Sequence, residues 1–172
     1  MNPIDQVRFA LVSAGLGDVV LELNGSARTA QMAADAIGLH FNTIIPVGAI
    51  VKSLLFVIDN RPTIVLAAGD RIVKEKLIGG VCHVSRKKVK LADAATVLKM
   101  TGYEVGGVPP IGHAQAMPVL IDQSLNRFKR VWAAAGAHHA VFPIEYTKLI
   151  EVTRGQVAAI TVEVRGIQGA ET

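Results

Sequence analysis

The chain has 172 residues, of which 51% are hydrophobic and 19% charged, and its formal net charge is +4 at pH 7. This composition excludes a disordered protein, and because no linker rich in Ser, Gly or Pro divides the chain, we expect a single domain over residues 1–172. Apolar runs such as residues 44–51 are far shorter than the ~20 residues of a membrane-spanning helix. Without a secretory signal, the expected location is cytoplasmic, with no membrane partner.

The first half of the chain predicts helices and then a β-hairpin. Helical spacing favours a helix at residues 3–14, a short strand at residues 19–23 and a second helix at residues 29–37. Two β-rich runs, residues 51–58 and 63–68, flank a short polar segment with turn-forming residues. This arrangement predicts a hairpin.

The second half predicts a mixture of short elements. Helices are expected at residues 71–77, 92–100, 122–126 and 144–152. Strands are expected at residues 117–121, 130–134, 140–142 and 157–164. The order of elements predicts an α+β fold with a curved or closed mixed sheet rather than a regular βαβ winding.

The segment Gly106-Gly107-Val108-Pro109-Pro110-Ile111-Gly112-His113 predicts a stiff loop. Proline fixes φ and removes an amide donor, while glycine lets backbone amides approach a ligand closely. Such a loop suits backbone recognition of a small polar group, although many loops of this composition only turn the chain.

Lys52 interrupts a run that otherwise reads as a buried strand. An ammonium there is costly unless it reaches water, a carboxylate or an anionic ligand. Two interpretations remain open at this point. Lys52 is either a snorkelling or edge-strand lysine, or it contacts a phosphate or carbonyl group inside a pocket.

Two further segments place polar residues beside small ones. Gly69 and Asp70 follow a strand that ends on alanines, and they are predicted to open a helix with Asp70 as its N-cap. His138 and His139 follow another strand end. On an extended segment they would point to opposite faces, so only one could enter a shared pocket, and an ordinary surface or core histidine is the alternative.

Metal and cofactor motifs are missing from the sequence. Cys82 is the only cysteine, so it cannot form an internal disulfide and is expected to be a structural thiol. The five histidines fit neither an HExxH nor a Cys-x-x-Cys pattern, and no Walker loop or dinucleotide fingerprint is present. We therefore predict neither a metal nor another cofactor.

Positive charge is concentrated in one part of the chain, since eight basic residues lie between Arg71 and Lys99. Clustered cations can attract a polyanion, but most such runs are solvated faces. Aromatic residues make up only 5% of the chain. A protein that stacks single-stranded bases on aromatic platforms is therefore disfavoured.

Five sequence blocks occur in a fixed order: Lys52-Ser53-Leu54-Leu55-Phe56, Val65-Leu66-Ala67-Ala68-Gly69-Asp70-Arg71, Thr101 through Gly112, Asp122-Gln123-Ser124-Leu125 and Ala134-Ala135-Gly136. In order and spacing they resemble the YbaK/ProX family, free-standing relatives of the editing domain inserted in bacterial prolyl-tRNA synthetases. The resemblance covers about residues 25–160. It implies a mixed, barrel-like curved sheet with flanking helices.

The resemblance also implies hydrolysis of mischarged aminoacyl-tRNA, with tRNA for proline carrying alanine or cysteine as the expected substrate. The partners would be the tRNA acceptor end and prolyl-tRNA synthetase. A non-catalytic module that binds tRNA or a synthetase is the alternative. The family's essential lysine and GxxxP loop fall on the expected catalytic residues Lys52, Gly106 and Pro110. The expected substrate-binding residues are Gly69, Asp70, Gly107, Val108, Pro109, Gly112, His113 and either His138 or His139.

Overall fold

The computed structural model describes residues 1–165, so residues 166–172 of the expected domain lie outside the described part. The α-helices of the described part are α1 Pro3–Ser13, α2 Ala30–Phe41, α3 Glu75–Cys82, α4 Ala94–Thr101 and α5 Tyr146–Thr153, and short 3-10 helices cover Val47–Ala49, Arg86–Lys88 and Gln123–Arg127. Its strands are β1 Leu21–Glu22, β2 Val51–Ile58, β3 Arg61–Ala68, β4 Arg71–Val73, β5 Val89–Leu91, β6 Val119–Asp122, β7 Arg130–Ala134, β8 Ala140–Glu145, β9 Gln156–Ala158 and β10 Thr161–Glu163.

These strands form three sheets. The central sheet has the order β5-β2-β3-β6-β9, in which β2 is antiparallel to β3 and β5, while β6 is parallel to β3 and β9. A second, antiparallel sheet has the order β1-β8-β7, and a third pairs β10 with β4. The predicted α+β fold with a mixed sheet is confirmed, but the strands of residues 1–165 do not close into a barrel.

Local signals explain most of the elements that were predicted. Asn2 caps α1 by accepting a hydrogen bond from the Asp5 amide. The hairpin between β2 and β3 turns at Asp59 and Asn60, whose φ values are 47° and 65°. Two consecutive positive φ values match the twist of paired strands, which is why Asp-Asn suits this position.

The central sheet is buried on both faces. On one face, Leu55 and Ile64 pack in a large core with Val7 of α1. On the other face, Phe56 packs with Ile78 of α3. A third apolar cluster joins α2 to Trp132 and Ile50, and this cluster forms one wall of the site described below. None of the helices in residues 1–165 is long and apolar enough to cross a membrane.

Two predicted elements were wrong for the same physical reason. Residues 71–77 were expected to be one helix, but β4 occupies the first three and α3 begins only at Glu75. Residues 157–164 were expected to be one strand, but they divide at Ile160 into β9 and β10. Ile160 donates its amide to the buried Asp122 carboxylate at 3.0 Å, while β10 pairs with β4. Both errors come from contacts between segments far apart in sequence.

Candidate functional site

A cleft of about 460 Å³ lies along the first half of β2. Pairing between β2 and β5 begins only at Phe56, and at its other end this edge of β2 is met by β7, through a parallel bridge between Ile50 and Trp132. The space is bordered by β7, by the start of α2 and by the loop around Gly106. Seven of its lining residues are alanines, more than any other residue type, and its wall is mainly apolar.

Lys52 lines this cleft from β2. Its Nζ atom donates a hydrogen bond to the backbone oxygen of Arg71 at 2.5 Å. Burial lowers the pKa of the Lys52 ammonium, and the nearby Asp70 carboxylate partly opposes that change. Lys52 is therefore held on the turn between β3 and β4 rather than extended into bulk water.

Asp70 is not a helix N-cap, because the residues after it form β4. It lies in the turn between β3 and β4, where Arg127 binds both of its carboxylate oxygens, at 2.9 and 2.7 Å. This bidentate bond holds the pKa of Asp70 below its usual range, against the opposing effect of burial. Arg127 in turn donates from Nε to the oxygen of Ser124 at 2.7 Å. Asp70 thus anchors the turn that holds Lys52 and does not line the cleft itself.

Gly69, in the same turn, does line the cleft. A Cβ atom at this position would lie 2.4 Å from the backbone oxygen of Val47 and 2.6 Å from the Ala30 side chain. Backbone and helix approach so closely here that only glycine fits.

The predicted loop reaches the cleft through Gly106 and Val108. Gly106 has a φ of +91°, and a Cβ built on it would point towards His138, 4.0 Å away. Gly107 packs more tightly on the same turn between β7 and β8. Its oxygen accepts the Gly136 amide at 2.9 Å, and a Cβ would lie 2.9 Å from the backbone of Ala137. Gly106 therefore borders the cleft, whereas Gly107 fixes the loop to the turn.

The rest of the loop lies behind the cleft and does not line it. Pro109 and Pro110 are buried. His113 places Nε2 2.6 Å from the Pro109 oxygen, and since a carbonyl can only accept, Nε2 carries the proton. Tyr103 donates its hydroxyl to the Gly112 oxygen at 2.8 Å. These bonds tie the loop together, and neither Pro110 nor His113 lines the cleft.

The paired histidines were expected on an extended segment, and this was wrong. They form the turn between β7 and β8, with ring centroids 5.5 Å apart. His138 lines the cleft, whereas His139 lies outside it with Nε2 3.8 Å from a carboxylate oxygen of Glu22. The sequence left open which histidine enters the pocket, and the structure places His138 there and His139 outside it.

Several lining residues were missed by the sequence interpretation. Arg28, Thr29 and the first turn of α2 that follows them border the cleft, and so do Ser53 and Trp132. Ser53 directly follows Lys52 and could have been noticed on that ground. The approach of α2 to β7 depends on long-range packing, which no local signal in the sequence indicates.

Within residues 1–165, no group of three or more His, Cys, Asp or Glu side chains is placed to hold a metal ion. In the basic stretch, Arg86 pairs with Glu75 at 3.7 Å and Lys88 with Asp59 at 3.2 Å. The basic stretch includes β5, which pairs with the second half of β2, while the cleft lies along the first half of β2. The basic residues and the cleft therefore follow each other along β2.

A protein-family model described as the aminoacyl-tRNA editing domain matches residues 24–152. The chain therefore belongs to the aminoacyl-tRNA editing domain family, which confirms the family that its sequence blocks resemble.

The YwhH protein of Bacillus subtilis (strain 168) is 32% identical over 143 residues, which are 80% of this chain and 83% of that protein. The proline–tRNA ligase of the same organism is 34% identical over 93 residues, which are 53% of this chain but only 16% of the ligase. A crystal structure described as a candidate trans-editing enzyme for prolyl-tRNA synthetase superposes with a TM-score of 0.84 at 32% identity. The match covers 94% of this chain and 98% of that one.

Proposed function

We propose that this protein is a trans-editing aminoacyl-tRNA deacylase, which hydrolyses the ester of tRNA for proline mischarged with a small amino acid, alanine or cysteine. One observation carries the proposal: in a member of the editing-domain family, Lys52, Gly106 and His138 border the same cleft. Similarity to a structure described as a trans-editing enzyme supports action on tRNA in trans.

The reaction needs positioning more than a strong nucleophile, because the ester to the terminal ribose is already activated. A water oxygen attacks the carbonyl carbon, the bond to the ribose oxygen breaks, and the ribose hydroxyl regains a proton. An adenosine hydroxyl or the substrate's own side chain assists the water. Backbone donors near Gly106 would stabilise the negative charge that develops on the carbonyl oxygen.

Lys52 supplies the positive charge of the site. Its ammonium has three donors, and the bond to Arg71 uses one of them. The remaining two donors can bind a phosphate of the acceptor end or the oxygen of the aminoacyl group. Because Arg71 fixes the side chain, little freedom is lost when the substrate arrives.

The mainly apolar wall limits how well the cleft can tell small amino acids apart. A hydrophobic pocket separates substrates that differ by one methylene only about 10- to 200-fold, so an editing site works best by excluding the larger, correct amino acid. The ring of proline is the group that this wall would have to exclude.

The test is a deacylation panel with tRNA for proline charged with alanine, cysteine or proline. We expect release of alanine or cysteine by the unaltered protein and a decrease on the order of a hundredfold for Lys52→Ala. Lys148→Ala is the matched control, since within residues 1–165 the Lys148 side chain bonds only Glu151, on the surface of α5. The proposal fails if the unaltered protein releases no more of any amino acid than Lys52→Ala does. Salt-sensitive tRNA binding without turnover would instead indicate a binding module.

A further inference from the structure

Strand β10 is the partner of the strand that holds Lys52. Lys52 donates its ammonium to the backbone oxygen of Arg71, which is the first residue of β4. Within residues 1–165, β10 is the only strand that pairs with β4. The family model matches residues 24–152, and β10 lies beyond them. The backbone that holds Lys52 therefore has its strand partner outside the matched segment.

The side chain of Arg71 also bonds β10. Its Nε atom donates to the Thr161 hydroxyl at 3.0 Å, and its Nη2 atom lies 3.5 Å from the Thr161 backbone oxygen. Its Nη1 atom lies 3.5 Å from a carboxylate oxygen of Glu163, but the Glu163 side chain is 86% exposed, so solvent weakens that ion pair. Thr161 is buried. The bond to the Thr161 hydroxyl is therefore the contact that fixes the Arg71 side chain.

A buried carboxylate orients the Thr161 hydroxyl. Asp122 accepts that hydroxyl at 2.9 Å, together with the amides of Ser124 and Ile160, both at 3.0 Å. Burial raises the pKa of the Asp122 carboxyl, but these hydrogen bonds lower the pKa by more, so it lies below its usual range. An ionised carboxylate can only accept. Thr161 must therefore donate to Asp122, which leaves its lone pairs to accept from Arg71.

We propose that Thr161 is a positioning residue for Lys52, because it holds Arg71, whose backbone oxygen holds the Lys52 ammonium at the cleft. This inference rests on the proposed deacylase function, in which it gives Thr161 a part. Without the hydroxyl, Nε of Arg71 loses its partner and the start of β4 is free to shift. A misplacement of about 1 Å is enough to slow a reaction on the order of a hundredfold.

The choice of substitution follows from the bonds around Asp122. Ser124, which bonds the Asp122 carboxylate, also gives its backbone oxygen to Arg127, and Arg127 binds the carboxylate of Asp70. A substitution of Asp122 would therefore disturb Asp70 and Thr161 together. A substitution of Thr161 removes only the bond that bears on Arg71.

The experiment compares Thr161→Val, which keeps the shape of the side chain and removes its hydroxyl, with Thr161→Ser, which keeps the hydroxyl. The substrate is tRNA for proline charged with alanine or cysteine, whichever the unaltered protein releases faster. We expect kcat/KM to decrease about tenfold or more in Thr161→Val and to stay within about threefold in Thr161→Ser. In a protein that already carries Lys52→Met, Thr161→Val should change the residual rate by less than about twofold, because Lys52 is no longer there to be positioned.

Chemical modification of lysine amines gives a second measurement, which needs no deacylase activity. Lys52 is half-buried and hydrogen-bonded, so an amine-reactive reagent should modify it slowly. In Thr161→Val the modification of Lys52 should be about fivefold faster, as expected for the loss of one hydrogen bond, and in Thr161→Ser it should be unchanged. Mass spectrometry of the digested protein measures the rate, with the exposed Lys99 on α4 as the internal reference.

Thr153→Val is the matched control for the loss of a hydroxyl. The Thr153 hydroxyl also donates, to the Leu149 oxygen at 2.7 Å, and accepts, from the Gly155 amide at 3.1 Å, but these bonds stay within α5 and the turn after it. Thr161→Val and Thr153→Val should each lower the midpoint of thermal unfolding by a few degrees. Only Thr161→Val should change the deacylation rate and the modification of Lys52.

Each possible failure has its own signature. A full deacylation rate in Thr161→Val would overturn the inference, and so would an equal loss in Thr161→Ser. An undiminished effect of Thr161→Val in the protein with Lys52→Met would also overturn it, since the hydroxyl would then act on the fold and not on Lys52. If the unaltered protein releases neither amino acid, the deacylase function fails, and the modification rate of Lys52 still decides whether Thr161 holds that side chain.

Discussion

Arg127→Met tests whether the charged pair behind the cleft positions Lys52. Arg127 binds both oxygens of Asp70, whose neighbour Arg71 provides the oxygen that holds the Lys52 ammonium. Methionine keeps much of the side-chain volume but removes every donor. The turn of residues 69–71 would lose its anchor, and the free Asp70 carboxylate would attract Lys52 away from the cleft.

The cost in stability is modest. The side chains of Arg127 and Asp70 are 40% and 39% exposed, so solvent screening limits their ion pair to about 1 kcal/mol. The bond from Arg127 to the Ser124 oxygen adds about 1 kcal/mol. The free energy of unfolding should decrease by about 1–2 kcal/mol, which lowers the midpoint by roughly 2–8 °C for a chain of this length. Deacylation should decrease on the order of tenfold to a hundredfold, since small misplacements of a catalytic group have effects of that size.

Arg8→Met is the control for this measurement. Arg8 also bonds two carboxylates, those of Asp18 and Glu22, but it lies outside the cleft. Both variants should lower the unfolding midpoint by similar amounts in a thermal melt. Only Arg127→Met should slow single-turnover deacylation of tRNA for proline. If both variants keep the full rate, or lose it equally, Arg127 does not position Lys52.

Two further outcomes follow from the same geometry. Gly107→Ala should lower the free energy of unfolding by about 1–3 kcal/mol in urea titrations, because its Cβ would lie 2.9 Å from the Ala137 backbone; an unchanged midpoint would contradict this packing. Lys52→Met should be more stable than the unaltered protein at pH 7, because it removes a buried charge whose pKa is lowered. As pH rises past that lowered pKa towards the unfolded value of ~10.4, the unfolded chain binds more protons, so Lys52 contributes increasing stability. If the free energy of unfolding of Lys52→Met and of the unaltered protein changed with pH in the same way, burial of the Lys52 charge would not destabilise the fold.

Local sequence signals predicted the elements that depend on near neighbours. The hairpin of β2 and β3 needs only two β-rich runs and a turn that tolerates positive φ at Asp59 and Asn60. Strand β4 depends instead on pairing with β10, and Arg71 donates to the Thr161 hydroxyl at 3.0 Å across 90 positions. Nothing near Arg71 in sequence indicates that partner. The apparent helix at residues 71–77 was therefore the best local interpretation and still wrong.

In the candidate site, too, local sequence signals identified some residues, while the placement of others depends on long-range contacts. The burial cost of a lysine in a strand identified Lys52, and the composition of the loop identified Gly106. Composition could not show that the prolines of the loop face the core, because that depends on the bonds that Tyr103 and His113 make to it. The role of each of these residues in binding stays a prediction, while their positions are given by the fold.

The shape of the cleft limits what can occupy it. Residues 51–54 of β2 pair with β3 on one side, and α2, β7 and the loop at Gly106 enclose the cleft beside them. A space of about 460 Å³ is too small for a base-paired helix, so of a nucleic acid only a single-stranded end can enter. The body of a tRNA would have to remain outside, where the basic residues around β5 continue along the same edge. An aminoacylated 3′ end meets both conditions, because it is unpaired, thin and attached to a polyanion.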